Sequence, residues 1–159
     1  MRQLSWAVYM KIFIVIAAYN EAESIGNVIR DLKKGHHTNI VVVDDGSKDN
    51  TSSIAKKAKA IVLKHSLNRG QGAALRTGID YSVKKGADVV VTFDADGQHR
   101  VEDIPSMIRP VLNNEVDVTL GSRFLRKDSK VPLMRKIVLK GGIFLIRLFY
   151  GVKLTDVHN

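Results

Sequence analysis

Two aspartates separated by one residue, Asp94 and Asp96, are the side chains whose type and spacing most directly suggest chemistry. In an extended segment, positions i and i+2 project to the same side, so both carboxylates can approach one ligand. Such a pair suits a hard divalent cation that keeps several waters and takes its other ligands from substrate phosphates. An Asp-x-Asp triplet also occurs in ordinary turns. The apolar run VVVTF before this one and the sequence Gly97-Gln98-His99 after it favour a metal site at a strand end.

Polar segments follow the other predicted strands in the same way. The strands are expected at Ile12–Ala17, Ile40–Val43, Ala60–Leu63, Asp88–Phe93 and Val116–Leu120. The segments that follow them are AYNE (18–21), DDGS (44–47), NRGQG (68–72), DAD (94–96) and GSR (121–123). Ligands of open α/β sheets bind outside the carboxyl ends of the strands, so we expect these five segments to meet at one edge.

The residues between the strands have helical periodicity. The apolar residues of 25–32 share one helical face, and Asn20 with Glu23 forms the expected capping box ahead of them. Three further helices are expected, near 54–58, 73–83 and 101–112. Nearly continuous apolar strands that alternate with helices predict an α/β fold with a mainly parallel sheet flanked by helices.

Several classes of site lose support because their motifs are absent or stand at a different place in the chain. The first strand–helix turn, AAYNEAESIG, lacks the G-x-G-x-x-G of dinucleotide sites, and no G-x-x-x-x-G-K-[ST] phosphate loop occurs. A phosphatase of the haloacid-dehalogenase type carries its Asp-x-Asp on the opening strand, whereas this pair follows the fourth. The chain has 0 cysteines, which excludes disulfides, thiolate zinc sites and cysteine nucleophiles.

Positive charge is concentrated near the end of the chain. The formal net charge is +9, and residues 121–159 carry 9 Lys and Arg against 2 Asp and Glu, a net of +7. The same region contains an apolar stretch, 137–152, interrupted by Lys140 and Arg147. This combination favours a helix lying in an anionic membrane interface; a core helix with two surface cations is the alternative. Nucleic acid is not expected as a partner, since basic arms usually alternate with polar residues.

The motifs together resemble those of glycosyltransferase family 2, which has the GT-A fold. The matching segments, in chain order, are IAAYNEAESIG, VVVDDGSKDNT, LNRGQGAALRTG, VVVTFDADGQH and LGSRF. The pattern is most similar to the polyprenol-phosphate branch, which includes dolichol-phosphate mannose and glucose synthases. The resemblance implies a single GT-A domain over 11–159 after an extension at 1–10, with the donor half at about 11–124. Residues 125–159 would then be part of the acceptor half, near the membrane.

The resemblance implies a nucleotide-sugar site after the first two strands. Ala18, Tyr19 and Glu21 match the donor-nucleotide segment. Asp45 matches a residue that contacts the nucleotide base, with Asp44 beside it. Simpler roles stay open: packing for Tyr19, helix capping for Glu21 and a plain turn at Asp45.

It also implies a metal and diphosphate site at Asp94-Ala95-Asp96, with Gln98 as a further ligand and Mg²⁺ or Mn²⁺ as the cofactor. His99 is either part of that site or a solvated loop histidine. Arg123 and Arg135 match arginines that contact phosphate around the acceptor. Arginine suits that role because its planar fork binds two oxygens at once. Asp96, Arg123 and Arg135 are therefore the expected catalytic residues.

The implied reaction moves a mannose- or glucose-type sugar from a UDP- or GDP-sugar to a polyprenyl or dolichyl phosphate, with inversion, at the cytoplasmic face of a membrane. A phosphomonoester has its second pKa near ~6 and is largely dianionic at neutral pH, so this acceptor hardly needs a general base. Two alternatives stay open: an enzyme of the same family with a soluble sugar or glycan acceptor, and a shortened, non-catalytic nucleotide-sugar-binding module.

Overall fold

A four-stranded parallel sheet forms the centre of the part of the chain that the computed structural model describes, residues 10–121. The strands are β1 (Ile12–Ala18), β2 (Asn39–Asp44), β3 (Ile61–Lys64) and β4 (Val89–Asp94). The helices are α1 (Ile25–Lys34), α2 (Thr51–Lys57), α3 (Gln71–Lys84) and α4 (Ile104–Leu112), with a 3₁₀ turn at Val101–Asp103. The predicted α/β fold with a mainly parallel sheet is confirmed.

The two inner strands are buried on both faces, as their continuous apolar sequence predicts. On one face, Ile14 and Ile16 of β1 pack in a core that also contains residues of α1, α2 and α4. On the other face, Val15 of β1 and Val43 of β2 pack with Ala74 of α3. The described sheet therefore lies between two layers of helices, and the alternation of side chains along β1 supplies both cores.

Helix α3 packs directly against the sheet at Gly78. A Cβ placed on Gly78 would lie 2.3 Å from Val15 Cγ1 and 3.1 Å from Val43 Cγ2. No side chain fits in that space. The close approach holds the first turn of α3, which begins at Gln71, near the carboxyl ends of the strands.

The strand order β3-β2-β1-β4 creates a switch point beside β1. The chain runs from β1 outward to β2 and β3, and then returns to place β4 on the other side of β1. In such sheets the connections at the reversal leave a crevice outside the carboxyl ends of the two strands. Here that crevice lies between the end of β1 and the end of β4.

Two expectations about local structure are wrong. Residues 116–120 form no strand, although Val116, Val118 and Leu120 alternate with polar residues, because strand propensity needs a paired neighbour to become a strand. Helix α1 begins at Ile25 and not at a capping box on Asn20. Asn20 instead has a φ of 56° and accepts a hydrogen bond from the Lys48 N–H, at 2.9 Å, through its Oδ1.

The chain divides into two compact units, residues 1–115 and 116–159, and only 116–121 of the second are described. Among residues 10–121, the helices are all too short or too polar to cross a bilayer. The predicted extension at 1–10 lies almost entirely outside the described residues, as does the basic apolar stretch at 137–152.

Candidate functional site

A cleft of about 430 Å³ lies at the switch point. It brings together the ends of β1 and β4, one residue after β2, and the segment that leads into α3. Its lining residues are Ala17, Ala18, Tyr19, Glu21, Asp45, Asn68, Gln71, Asp94, Ala95 and Asp96. Four of the five polar segments therefore meet at one edge, as the parallel topology predicts. Seven of the residues expected to bind donor or metal line this cleft.

Two of the expected site residues that the structure describes do not line it. Asp44 is buried elsewhere, and Gln98 is an exposed residue of the loop after β4. Arg123 and Arg135 lie outside the described residues, so their expected contact with an acceptor phosphate stays a prediction.

The segment after β1 is held by the turn after β2. The Asn20 N–H donates to Ser47 Oγ at 2.9 Å, and the Glu21 N–H donates to Thr51 Oγ1 at 2.8 Å. The Glu21 carboxylate in turn accepts a hydrogen bond from Ser24 Oγ, at 2.6 Å from Oε2. These contacts leave the Tyr19 side chain 42% exposed at the cleft. An aromatic ring in that position offers a flat surface to a ligand.

Asp44 stabilises the turn that follows β2 from inside the protein. Its Oδ1 accepts the Ser47 N–H at 2.8 Å, its Oδ2 accepts the Ser52 hydroxyl, and Lys64 Nζ lies 3.7 Å from Oδ2. Burial opposes ionisation, but these hydrogen bonds and the Lys64 charge outweigh it and hold the pKa of Asp44 below its usual value. Both oxygens of the buried Asp44 carboxylate therefore have partners inside the protein.

Asp45 joins the end of β2 to the loop before α3. Its side chain is buried, and its oxygens accept hydrogen bonds from the Arg69 N–H at 3.0 Å and the Gly70 N–H at 2.7 Å. His65 Nδ1 lies 2.6 Å from Asp45 Oδ1. Burial opposes ionisation here too, and the backbone and His65 hydrogen bonds still lower the pKa of Asp45. Asp45 therefore holds the loop that carries Asn68 into the cleft.

His65 is a contributor to the site that sequence reasoning missed. It follows β3 directly, is buried, and places Nε2 3.0 Å from Thr77 Oγ1 on α3. The side chains of Asp45, His65 and Thr77 thus connect β2 and β3 to the helix that supplies Gln71. In the sequence, only its position could have identified His65 as a site residue. It is the first residue after a strand, in a sheet whose strand ends form the site.

The Asp94 carboxylate is held from two sides. Gln71 Nε2 donates to Asp94 Oδ1 at 3.3 Å, and His99 Nε2 lies 3.2 Å from Asp94 Oδ2. Asp96 is exposed, and its Oδ1 accepts the Gln98 N–H at 2.9 Å within the same loop. Gln71 is a second residue that sequence reasoning did not assign, although the segment NRGQG was expected at this edge.

The donor set of the cleft fits a divalent cation of the Mg²⁺ type. Two carboxylates, Asp94 and Asp96, line the same wall, which suits a cation that completes its coordination with water and substrate phosphates. Within residues 10–121, no group of three or more His, Asp and Glu side chains is arranged to hold a metal ion on its own. The match is therefore to an ion bound together with a phosphorylated ligand.

A larger groove of about 590 Å³ lies between α1 and the segment that follows β4. Charged and imidazole side chains of both signs line it, including Asp31, Lys34, His37 and Arg100. None of the polar residues of 18–21 and 44–47, which follow β1 and β2 directly, lines this groove. The smaller cleft is the better candidate because the strand ends converge there.

The sequence matches the family model described as glycosyl transferase family 2 over residues 13–158. The chain belongs to glycosyltransferase family 2. The match covers most of the chain, so the family resemblance drawn from the five motifs is confirmed. The solved glycosyltransferase structures described below also confirm the GT-A fold.

Named relatives of this family 2 chain include polyprenyl-phosphate enzymes. It is 38% identical to the UDP-N-acetylglucosamine–dolichyl-phosphate N-acetylglucosaminyltransferase of Methanococcus voltae, over 93% of this chain and 66% of that protein. It is 32% identical to the dolichol-phosphate mannosyltransferase of Pyrococcus furiosus, over 94% of this chain and 44% of that protein. These names confirm the resemblance to the polyprenol-phosphate branch. The chain spans less than two thirds of the length of either relative.

Among solved structures, the family 2 chain is similar to glucosyl-3-phosphoglycerate synthase of Mycobacterium tuberculosis. The complex of that enzyme with Mn²⁺, UDP-glucose and phosphoglyceric acid superposes with a TM-score of 0.56 at 25% identity. The superposition covers 68% of this chain and 41% of the other. That enzyme thus binds a nucleotide sugar together with a divalent cation.

Proposed function

We propose that this family 2 chain transfers a sugar from a UDP- or GDP-sugar to a polyprenyl phosphate. The observation that carries the proposal is the convergence of Tyr19, Asp45, Asp94 and Asp96 in one cleft at the switch point of the sheet. The polyprenyl-phosphate relatives support the acceptor class. The sugar is of the mannose or glucose type.

The nucleotide lies, in this proposal, between the segment after β1 and the loop before α3. Tyr19 presents its exposed ring to the base, and Glu21 lines the same wall. Asp45 contributes chiefly by holding the Asn68–Gly70 loop, because its oxygens already accept the Arg69 and Gly70 N–H groups. Asp44 contributes indirectly, because it stabilises the turn that positions Asn20 and Glu21.

Asp94 and Asp96, with Gln98 from the same loop, are the residues that would hold Mg²⁺ or Mn²⁺ beside the diphosphate. Bound there, the ion supplies Lewis-acid stabilisation of the leaving nucleoside diphosphate. The chain itself contributes the orientation of Asp94, whose two oxygens face Gln71 and His99.

The transfer step inverts the anomeric carbon. An oxygen of the acceptor phosphate attacks that carbon in line, a carbon–oxygen bond to the lipid phosphate forms, and the bond to the nucleoside diphosphate breaks. Arg123 and Arg135 bind the acceptor phosphate in this proposal. The basic residues of 121–159 hold the protein peripherally on the anionic cytoplasmic face of a membrane.

The donor half of the proposal is tested by thermal unfolding with UDP, GDP, ADP and NAD, each with and without Mn²⁺. A ligand at a hundredfold excess over its Kd stabilises the native state by about 2.7 kcal/mol. We expect a Mn²⁺-dependent rise in Tm with UDP or GDP only. Asp96→Ala should abolish this rise, whereas Asp80→Ala, which removes an exposed carboxylate on α3, should retain it. Equal responses of both variants would contradict the metal assignment.

The acceptor half is tested by flotation with anionic vesicles and by transfer assays. Binding that weakens at high salt, together with transfer to a polyprenyl phosphate, supports the proposal. An enzyme with a soluble acceptor would not float but would turn over. A non-catalytic module would bind the nucleotide sugar without transfer or hydrolysis.

A further inference from the structure

The loop after β4 folds back towards the strand, so that His99 contacts Asp94, the last residue of β4. His99 Nδ1 lies 3.3 Å from the Asp94 backbone nitrogen, and His99 Nε2 lies 3.2 Å from Asp94 Oδ2. The ring also packs edge-on against Phe93, at 5.2 Å between centroids and an interplanar angle of 90°. The imidazole is only 28% exposed. His99 is thus an ordered part of the site and not a solvated loop residue.

The two contacts assign a hydrogen to one ring nitrogen. The Asp94 backbone N–H can only donate, so His99 Nδ1 must accept. In the neutral ring the hydrogen then lies on Nε2, which donates it to Asp94 Oδ2. One side chain therefore holds both the backbone and the carboxylate of the same aspartate.

The carboxylate of Asp94 is more constrained than that of Asp96. Its Oδ1 accepts from Gln71 on α3, and its Oδ2 accepts from His99 in the loop after β4, so both of its oxygens have a partner. Asp96 is exposed and accepts the Gln98 N–H of its own loop. A metal-ligating carboxylate that is oriented by such partners binds its ion more tightly than one that must be ordered on binding.

We propose that His99 is a positioning residue for the metal and diphosphate site, acting through the Nε2–H bond to Asp94 Oδ2. The inference rests on the proposed function, because it assumes that Asp94 binds a divalent cation with a nucleoside diphosphate. It adds a residue whose role is to hold Asp94, without itself contacting the substrate.

Three substitutions separate this role from a role in packing. His99→Phe keeps an aromatic ring against Phe93 and removes both polar contacts. His99→Gln places an amide donor near the position of Nε2, and His99→Asn places its amide near the position of Nδ1, out of reach of Oδ2. His37→Phe is the matched control, since His37 lines the same larger groove as His99 but follows α1, whereas His99 contacts Asp94.

The measurements are Mn²⁺ binding counted by electron paramagnetic resonance and the affinity for UDP and GDP with and without Mn²⁺. We expect His99→Phe and His99→Asn to weaken Mn²⁺-dependent binding about tenfold to a hundredfold, the range for such outer partners of metal ligands. His99→Gln should recover most of the loss, and His37→Phe should bind like the wild type. Wild-type affinity in His99→Phe, or a His99→Gln variant as weak as His99→Phe, would overturn the proposal.

Failure of the proposed function can be distinguished from failure of the His99 proposal. If the wild-type chain binds neither nucleotide with Mn²⁺, the donor proposal fails. The contact between His99 and Asp94 is then tested separately, by ¹⁵N NMR of the His99 ring at mildly alkaline pH. A hydrogen on Nε2 with Nδ1 accepting supports the positioning contact. A hydrogen on Nδ1 refutes it.

Discussion

His65 Nδ1 and Asp45 Oδ1 lie 2.6 Å apart in a region where the side chains are only 8% and 3% exposed. The contact joins the first residue after β3 to the first residue after β2. Asp45 also accepts hydrogen bonds from the Arg69 and Gly70 N–H groups, which hold the loop that lines the cleft. The buried pair therefore links the stability of the sheet edge to the shape of the candidate site.

Replacing His65 should lower the stability of the protein. His65→Leu removes a hydrogen-bonding partner from a buried carboxylate, which lowers the free energy of unfolding by about 2–3 kcal/mol. Urea unfolding measures this change. A double-mutant cycle with Asp45→Ala should show a coupling above about 1 kcal/mol, because each single change removes the same contact. Additive effects would show that the contact contributes nothing of its own.

The stability of the protein should fall in acid partly because of Asp44. Its folded pKa is lowered, so its contribution is complete above the unfolded value of about 3.9 and is lost as pH falls through the lower, folded value. Asp44→Asn keeps the side-chain shape and removes the ionisation. We expect this variant to be less stable than the wild type at neutral pH, with a difference that shrinks as the solution is acidified. Urea unfolding across the acid range measures it, and a pH-independent difference would contradict the assignment.

Two glycines of α3 should respond oppositely to alanine. Gly78→Ala places a Cβ 2.3 Å from Val15 Cγ1 and should destabilise the protein by about 1–3 kcal/mol through overpacking. Gly72→Ala has no heavy atom within 4 Å of the added Cβ and should be neutral or stabilising by up to about 1 kcal/mol. Thermal or urea unfolding of the two variants provides the comparison. Equal effects would mean that helix propensity, and not close packing, sets the requirement at Gly78.

Tyr19 should contribute to ligand binding without contributing much to stability. Stacking of a base on an aromatic ring is worth about 1–3 kcal/mol, so Tyr19→Ala should weaken binding of UDP or GDP about tenfold. Leu67→Ala is the control, because Leu67 is 63% exposed and does not line the cleft. Titration calorimetry with Mn²⁺ present measures both. Unchanged affinity in Tyr19→Ala would place the base elsewhere in the cleft.

The larger part of the described fold was predictable from local pattern. The prediction of β1 at Ile12–Ala17 differs by one residue from the observed Ile12–Ala18, and β2, β3 and β4 each lie within one residue of their predicted limits. Buried parallel strands have continuous apolar sequences, so the limits of these strands can be recognised from the sequence. The same logic does not extend to Val116–Leu120, because an alternating sequence becomes a strand only where the fold supplies a partner edge.

The family, the succession of strands and helices along the chain, and the polar residues that follow the strands can be read from local sequence pattern. The contacts that those residues make depend on how the chain packs in three dimensions. Adjacent strand-end positions point in opposite directions, so Asp44 is buried towards Ser52 and Lys64, whereas Asp45 reaches His65 and the cleft. Which of two adjacent side chains faces the site depends on the strand order and on the placement of α3. The contact of His99 with Asp94 likewise depends on a loop that closes on itself, and no periodicity in the sequence encodes that closure.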